Sequence, residues 1–205
     1  FDYRKLMDEK KIFLVNLSKG KIGPENSNFL GRIIVPKLLI SALSRIDKTS
    51  GDRPDFYLYV DEFQNFASET FATMLSEARK YGLSITLANQ YLSQLGHDVL
   101  DSVFGNVGTL ISFRMGIQDV PLIQREFYPI FDGDDLVNLP KYTTCIKLLV
   151  DGMAARQFSM RTILDKSEVN YETAALIRQL SRVRYGRDRQ IVEEKIDERM
   201  GVKKK

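Results

Sequence analysis

Short apolar runs recur along this chain at intervals that a helix fills, and that rhythm limits its fold more than any other feature. KIFLVNL (11–17), FYLYV (56–60), LSITLA (83–88), VGTLISF (107–113) and the run from Thr143 to Val150 all have strand length and bulky side chains. The intervening stretches carry a different period. From Asn26 to Asp47, apolar residues such as Ile33, Val35, Leu38, Leu39, Ala42 and Ile46 are too many for one helix face, so that helix is covered on more than one side, with Pro36 a candidate kink. Phe71, Met74, Leu75 and Ala78 follow i, i+3, i+4, i+7 spacing, with Ser68 placed to cap the helix start and Gly82 to stop it. Shorter helices are predicted over 119–127 and 134–138. A helical tail is predicted over 166–200, broken near Tyr185-Gly186.

Strands alternating with helices predict βαβ units and an α/β fold with a mainly parallel sheet covered on both faces. Ligands of such sheets gather at the carboxyl ends of the strands. The expected organisation is a core over 1–165 and a helical, basic extension over 166–205.

Composition sets outer bounds. Of 205 residues, 43% are apolar and 28% charged, as in an ordinary globular chain, and no apolar run approaches the length of a membrane span. With one cysteine (Cys145) and one histidine (His97), neither an internal disulfide nor a Cys/His metal cluster can form, and a reducing cytoplasmic setting follows. The net charge of +3 is unevenly spread. Residues 178–205 hold ten Lys/Arg against five Asp/Glu, a net of +5, which leaves −2 for the rest. A basic tail of this kind is either a solvated helix or a contact for nucleic acid or acidic partners. The chain opens FDYRKLMDEKK without an initiator Met, which reads as a piece of a longer protein.

The chemistry concentrates where FYLYV runs into Asp61 and Glu62. Adjacent carboxylates repel, and an unpartnered buried one is costly. Two readings are open on the residues alone. In one, Asp61 sits near Mg²⁺ through a coordinating water and Glu62 orients or deprotonates an attacking water, the pattern of a Walker B segment. In the other, both acids are N-terminal helix residues satisfied by backbone N–H groups. Gln90, just past the next strand, is placed either to contact a γ-phosphate or to cap a helix. No G-x-x-x-x-G-K-[ST] loop occurs; LSKGKIG has the wrong spacing.

Three blocks carry a family resemblance: KIFLVNLSKGKIGPENSNFLGRIIVPKLLISALSR, FYLYVDEFQNFASETFATMLSEARKYGLSITLANQYLSQL and ISFRMGIQDVPLIQREFYP. Together they resemble the C-terminal half of the motor domain of conjugative coupling-protein ATPases, which serve type IV secretion and belong to the HerA/FtsK group of RecA-like P-loop motors. The resemblance covers about residues 10–160, with 60–95 its most specific part. It implies a RecA-like core lacking the Walker A half, ATP and Mg²⁺ as cofactors, and a ring that is commonly hexameric. It also implies DNA and type IV secretion components as partners, and a bacterial cytoplasmic location at the inner membrane through parts outside this chain. Carried over residue by residue, Asp61 matches the Walker B acid, Glu62 the catalytic acid and Gln90 the γ-phosphate sensor. Arg114 lies where family members often place an arginine that serves a neighbouring subunit; Arg156 and Arg161 are weaker candidates. Without its phosphate-cradling half, the chain by itself is expected to be inactive.

Two other functions fit the same residues. A non-catalytic protein- or DNA-interaction module would explain the missing loop but not the paired acids. A DNA-binding domain built on the tail would be strongly salt-dependent. His97 reads as a helix-start residue, Cys145 as a buried thiol, and Phe63, Phe66 and Phe71 as core rather than a base-stacking platform.

Overall fold

The structure is a computed structural model that describes residues 1–201. The side chains of residues 69, 70 and 72–74 lie outside the description, and so do the Met74 position of the predicted stripe and the terminal Lys run 203–205. The chain divides into two compact units, Phe1–Thr162 and Ile163–Lys205.

The first unit opens with α1 (Tyr3–Asp8), whose first turn is capped when Asp2 accepts the Lys5 N–H at 2.9 Å. After α2 (Lys19–Ile22), Gly23 at φ 82° turns the chain into α3 (Pro24–Leu43), with Pro24 at the position where its missing N–H costs nothing. Pro36 lies inside α3, which nevertheless continues unbroken to Leu43. A 3-10 turn, Ser44–Asp47, then buries Arg45 completely. Arg45 donates to the carbonyls of Pro54 (2.8 Å) and Tyr81, while Arg53 donates to those of Arg45 (2.9 Å) and Lys80 (2.8 Å). Two guanidiniums thus fasten the loop before β1 (Phe56–Val60) to the turn before β2 (Leu83–Leu87).

The two strands pair in parallel, in register from Phe56↔Leu83 to Val60↔Leu87. Their crossover runs through α4 (Glu69–Ala78), capped as predicted by Ser68, whose hydroxyl accepts the Phe71 N–H at 3.2 Å, and then a 3-10 turn (Arg79–Tyr81) that Gly82 ends at φ 67°. α5 (His97–Asn106) follows. One core gathers Leu38, Leu39, Val60, Phe63, Phe71, Leu83 and Val99. It covers one face of the strand pair. The other face presents Tyr57 (60% exposed) and Tyr59 (73%) beside Ser84 and Thr86, so the expected cover on both faces is found on one among the described residues.

Beyond β3 (Leu110–Ser112), α6 (Val120–Phe127) and α7 (Gly133–Val137) precede β4 (Thr143–Lys147), β5 (Leu149–Val150), β6 (Met153–Ala154) and β7 (Phe158–Arg161). β3, β4 and β7 form an antiparallel sheet, and β5–β6 a hairpin turning at Asp151 and Gly152, both at positive φ. The mixed α/β architecture is as expected. Parallel pairing, however, is limited to β1–β2 among the described residues: β3, β4 and β7 run antiparallel, and the links after β4 are too short for the crossover that parallel neighbours need. A second core, with Ile123, Phe127, Leu136 and Cys145, fills the space under β4.

Two predicted strands need correction. Residues 11–18 carry no strand: Ile12 and Leu14 are 88% and 81% exposed, and the segment joins no ladder. Apolar content signals a wish for burial, but a strand also needs a partner's backbone. The predicted run from Thr143 to Val150 divides at Leu148, whose carbonyl accepts the Ala155 N–H at 2.9 Å and starts the hairpin.

The second unit holds α8 (Tyr171–Tyr185), capped by Asn170, and α9 (Arg189–Met200), capped by Asp188, with the break at Gly186 where the sequence places it. No residue of either helix is buried. Among the described residues no helix is long and apolar enough to cross a membrane.

Candidate functional site

The acids stand where β1 ends. The two strands stay laced beyond their ladder: the Ala88 N–H donates to Val60 O and the Phe63 N–H to Ala88 O, both at 2.9 Å. Between those bonds the chain must turn sharply, and Glu62 takes the left-handed conformation at φ 52°, ψ 44°. For a residue with a Cβ this costs about 1–2 kcal/mol. Local hydrogen bonds offset it. The Glu62 carbonyl accepts both the backbone N–H and the side-chain amide of Asn65, each at 3.0 Å, and the Lys19 ammonium holds the Asn65 Oδ1 at 2.9 Å. The Glu62 N–H donates to Asp61 Oδ1 at 3.0 Å.

The bend turns the Glu62 carboxylate toward two amides. Gln64 Nε2 donates to Oε2 at 2.6 Å, and Gln90 Nε2, arriving from beyond β2, donates to Oε1. The repulsion expected between neighbouring acids is therefore relieved in part by the chain's own donors. Glu62 is gripped by two amides, while Asp61 is exposed and receives a backbone N–H. A carboxylate offers about four acceptor sites, so both acids keep capacity for further donors or a cation.

The backbone just after Gln90 is anchored. Asp119, 3% exposed, accepts the N–H groups of Leu92 (3.2 Å) and Ser93 (2.9 Å), pinning the turn that follows Gln90. Its position just before α6 reads in sequence as an ordinary helix start, which hides this second attachment. Gln64, Asn65 and Lys19 were equally unmarked by sequence. DEFQN shows polar residues after the acids but not the bend that turns them back onto Glu62.

The structure joins Glu62 to Gln90 and places Asp61 beside them. Arg114 is exposed on the segment after β3, and Arg156 and Arg161 are exposed as well; among the described residues no hydrogen bond or ion pair ties any of the three to Asp61, Glu62 or Gln90. His97 opens α5. Cys145 is fully buried in β4, and burial pushes its thiol pKa up, away from reactivity. Phe63 and Phe71 pack ring to ring in the core at 4.7 Å. A separate open concavity of about 490 Å³ lies beside Asp132, Asp135, Leu139 and Thr143. Two of its acids are committed to capping α7 through reciprocal bonds at 3.0 Å.

The donor set limits what metal could bind. Among the described residues no three His, Cys, Asp or Glu side chains converge. A lone exposed carboxylate suits Mg²⁺, which keeps most of its waters and takes one or two protein ligands plus phosphate oxygens. It does not suit a metal that needs a protein cage.

Residues 55–124, about a third of the chain, match the family described as the TraM recognition site of TraD and TraG. The match includes Asp61, Glu62, Gln90 and Arg114 and takes in the block 60–95 on which the resemblance to coupling proteins is most specific. Among solved structures, the chain resembles the genome packaging NTPase B204 of Sulfolobus turreted icosahedral virus 2 in complex with AMPPCP, at 16% identity and a TM-score of 0.47, covering 65% of this chain and 63% of that one. It also resembles the plasmid coupling protein TrwB in complex with the GTP analogue GDPNP, at 18% identity and a TM-score of 0.49, covering 70% of this chain and 39% of that one. The chain thus spans less than two thirds of either. No curated protein sequence matches it.

Proposed function

We propose that this chain is the carboxyl-terminal part of the motor domain of a conjugative coupling-protein ATPase, with Asp61, Glu62 and Gln90 at its hydrolytic centre. The observation that carries this reading is the hydrogen bond from Gln90 to Glu62 across the carboxyl ends of two parallel strands. That is where this class of sheet holds ligands, and the resemblance over 55–124 supports the assignment.

On this reading each residue has a definite task. Glu62, held at a fixed angle by its left-handed backbone, orients the attacking water and takes its proton. Gln90 presents an amide that hydrogen-bonds either Glu62 or a γ-phosphate oxygen, and so registers whether triphosphate is present. Asp61 holds Mg²⁺ through water; when bound, the ion would neutralise charge on the β- and γ-phosphates. Arg114, which is exposed, is available to a nucleotide on a neighbouring subunit of a ring, commonly a hexamer, where it would stabilise transition-state charge. The phosphate-cradling loop is supplied by sequence outside these residues, and the 205-residue piece alone does not turn over. The ring couples hydrolysis to moving DNA or nucleoprotein toward type IV secretion components at the inner membrane. The basic extension over 166–205 adds contacts to nucleic acid or acidic partners.

The test is DNA-stimulated ATP hydrolysis by the full-length protein. Glu62→Gln lowers kcat by about 10²–10⁴-fold, the usual worth of a general base, and leaves ATP binding intact. Normal turnover in that variant ends the reading.

A second reading is favoured by the description of the matching family, which names a recognition site. Residues 55–124 then serve as a surface for a protein of the TraM kind, with or without hydrolysis. Titration with TraM separates the two: affinity that is unchanged by Glu62→Gln and accompanied by no ATP binding in the full-length protein supports recognition alone.

A further inference from the structure

We propose that Gln64 is the positioning residue of the Glu62 carboxylate. This rests on the motor reading above and assigns a role within that same centre.

The argument begins with rigidity. Gln64 lies in the 3-10 turn Phe63–Asn65, immediately after the left-handed Glu62. Phe63 locks that turn from both ends: its ring is 1% exposed and packed on Phe71, and its N–H donates to Ala88 O across the strand pair. Asn65 closes the other side onto the Glu62 carbonyl. A half-buried amide projecting from so constrained a turn has little freedom of its own, and its Nε2 meets Glu62 Oε2 at 2.6 Å.

The orientation of the amide follows from the same contact. Reversing it would set the carbonyl Oε1 against a carboxylate oxygen at hydrogen-bond distance, acceptor against acceptor. Oε1 instead sits buried without a hydrogen-bond partner. Gln64 tolerates that orphan oxygen while its nitrogen serves Glu62.

The two amides on Glu62 are not equivalent. Gln90 is exposed and lies beyond the end of β2, so its donor is free to transfer to an incoming phosphate oxygen. Once it leaves, Gln64 is the side chain still holding the carboxylate. One oxygen stays anchored, and the other is open to accept a proton from water. Without Gln64 the three torsions of the glutamate would relax just when the base must be aligned, and misplacement of about 1 Å costs on the order of 10²-fold in rate.

The experiment compares Gln64→Met, which keeps the shape but removes the donor, and Gln64→Ala with wild type and Glu62→Gln, all in the full-length protein. The readouts are DNA-stimulated ATP hydrolysis, nucleotide affinity and unfolding midpoint. The expected result is a kcat reduced about 10- to 100-fold in both Gln64 variants, with KM for ATP and the unfolding midpoint near wild type. In the double variant Glu62→Gln/Gln64→Met, turnover equals that of Glu62→Gln alone, because Gln64 acts only through the carboxylate. Wild-type kcat in the Gln64 variants beside an inactive Glu62→Gln overturns this role and leaves the motor reading standing. An equal added loss on both backgrounds, with a lowered midpoint, overturns it in favour of a purely structural part. Normal turnover in Glu62→Gln removes both together.

Discussion

At the scale of single residues, the site is built on an awkward backbone. Glu62 occupies a conformation natural to glycine, and its neighbours secure it there. Glycine at this position should therefore fold more readily than alanine. Glu62→Gly is expected to exceed Glu62→Ala in unfolding free energy by about 1 kcal/mol, read from urea denaturation. Equal stabilities would mean that the bend relaxes when the glutamate is lost. Sequence disclosed only part of this. FYLYVDE announced a strand ending in acids, and LANQ placed an amide near the neighbouring strand end. The left-handed turn, and the return of Gln64 and Asn65 onto Glu62, depend on bonds between side chains and backbone that leave no periodic trace. Arg45 is a sharper case. Its partners are carbonyls, which every residue owns, so nothing in the sequence separates this buried cation from an ordinary surface arginine.

At the scale of elements, periodicity served the helices well and the strands unevenly. Ser68, Gly82 and the i, i+3, i+4, i+7 spacing marked α4 because capping and amphipathicity are local properties. Residues 11–17 misled because apolar content reports a preference for burial and says nothing of which backbone lies alongside. The long α3 has too little moment to orient from sequence, since it is apolar on several sides. Its placement depends on Gly31, where an added Cβ would fall inside van der Waals contact with the Phe66 ring. Gly31→Val is expected to destabilise by about 1–3 kcal/mol, seen as a lower denaturation midpoint, and Phe66→Leu on that background should recover part of the loss. A neutral Gly31→Val would show that α3 and the turn after Glu62 do not depend on close approach.

At the scale of the whole molecule, two units differ in what sustains them. Residues 1–162 contain both buried cores. α8 and α9 bury no residue, and isolated helices of such length are marginal in water. Residues 163–170, at the start of the second unit and before α8, are irregular and exposed. Limited proteolysis is expected to cut first within 163–170 and to leave a fragment near 1–162 whose unfolding midpoint matches that of the uncut chain. A midpoint that falls sharply after cleavage would show that the tail contributes to the core.

The bare face of the β1–β2 pair has one more consequence. Tyr57, Tyr59 and Asp61 rise along it in alternate positions, facing Ser84, Thr86, Ala88 and, past the strand end, Gln90. Anything that roofs the tyrosines would have its eave over the carboxylates, and would thin the bulk solvent that now damps their field. Attraction between charges rises severalfold as the effective dielectric falls from that of water toward that of a protein surface. Sealing this flank and sharpening the electrostatics at Asp61 and Glu62 would then be a single event.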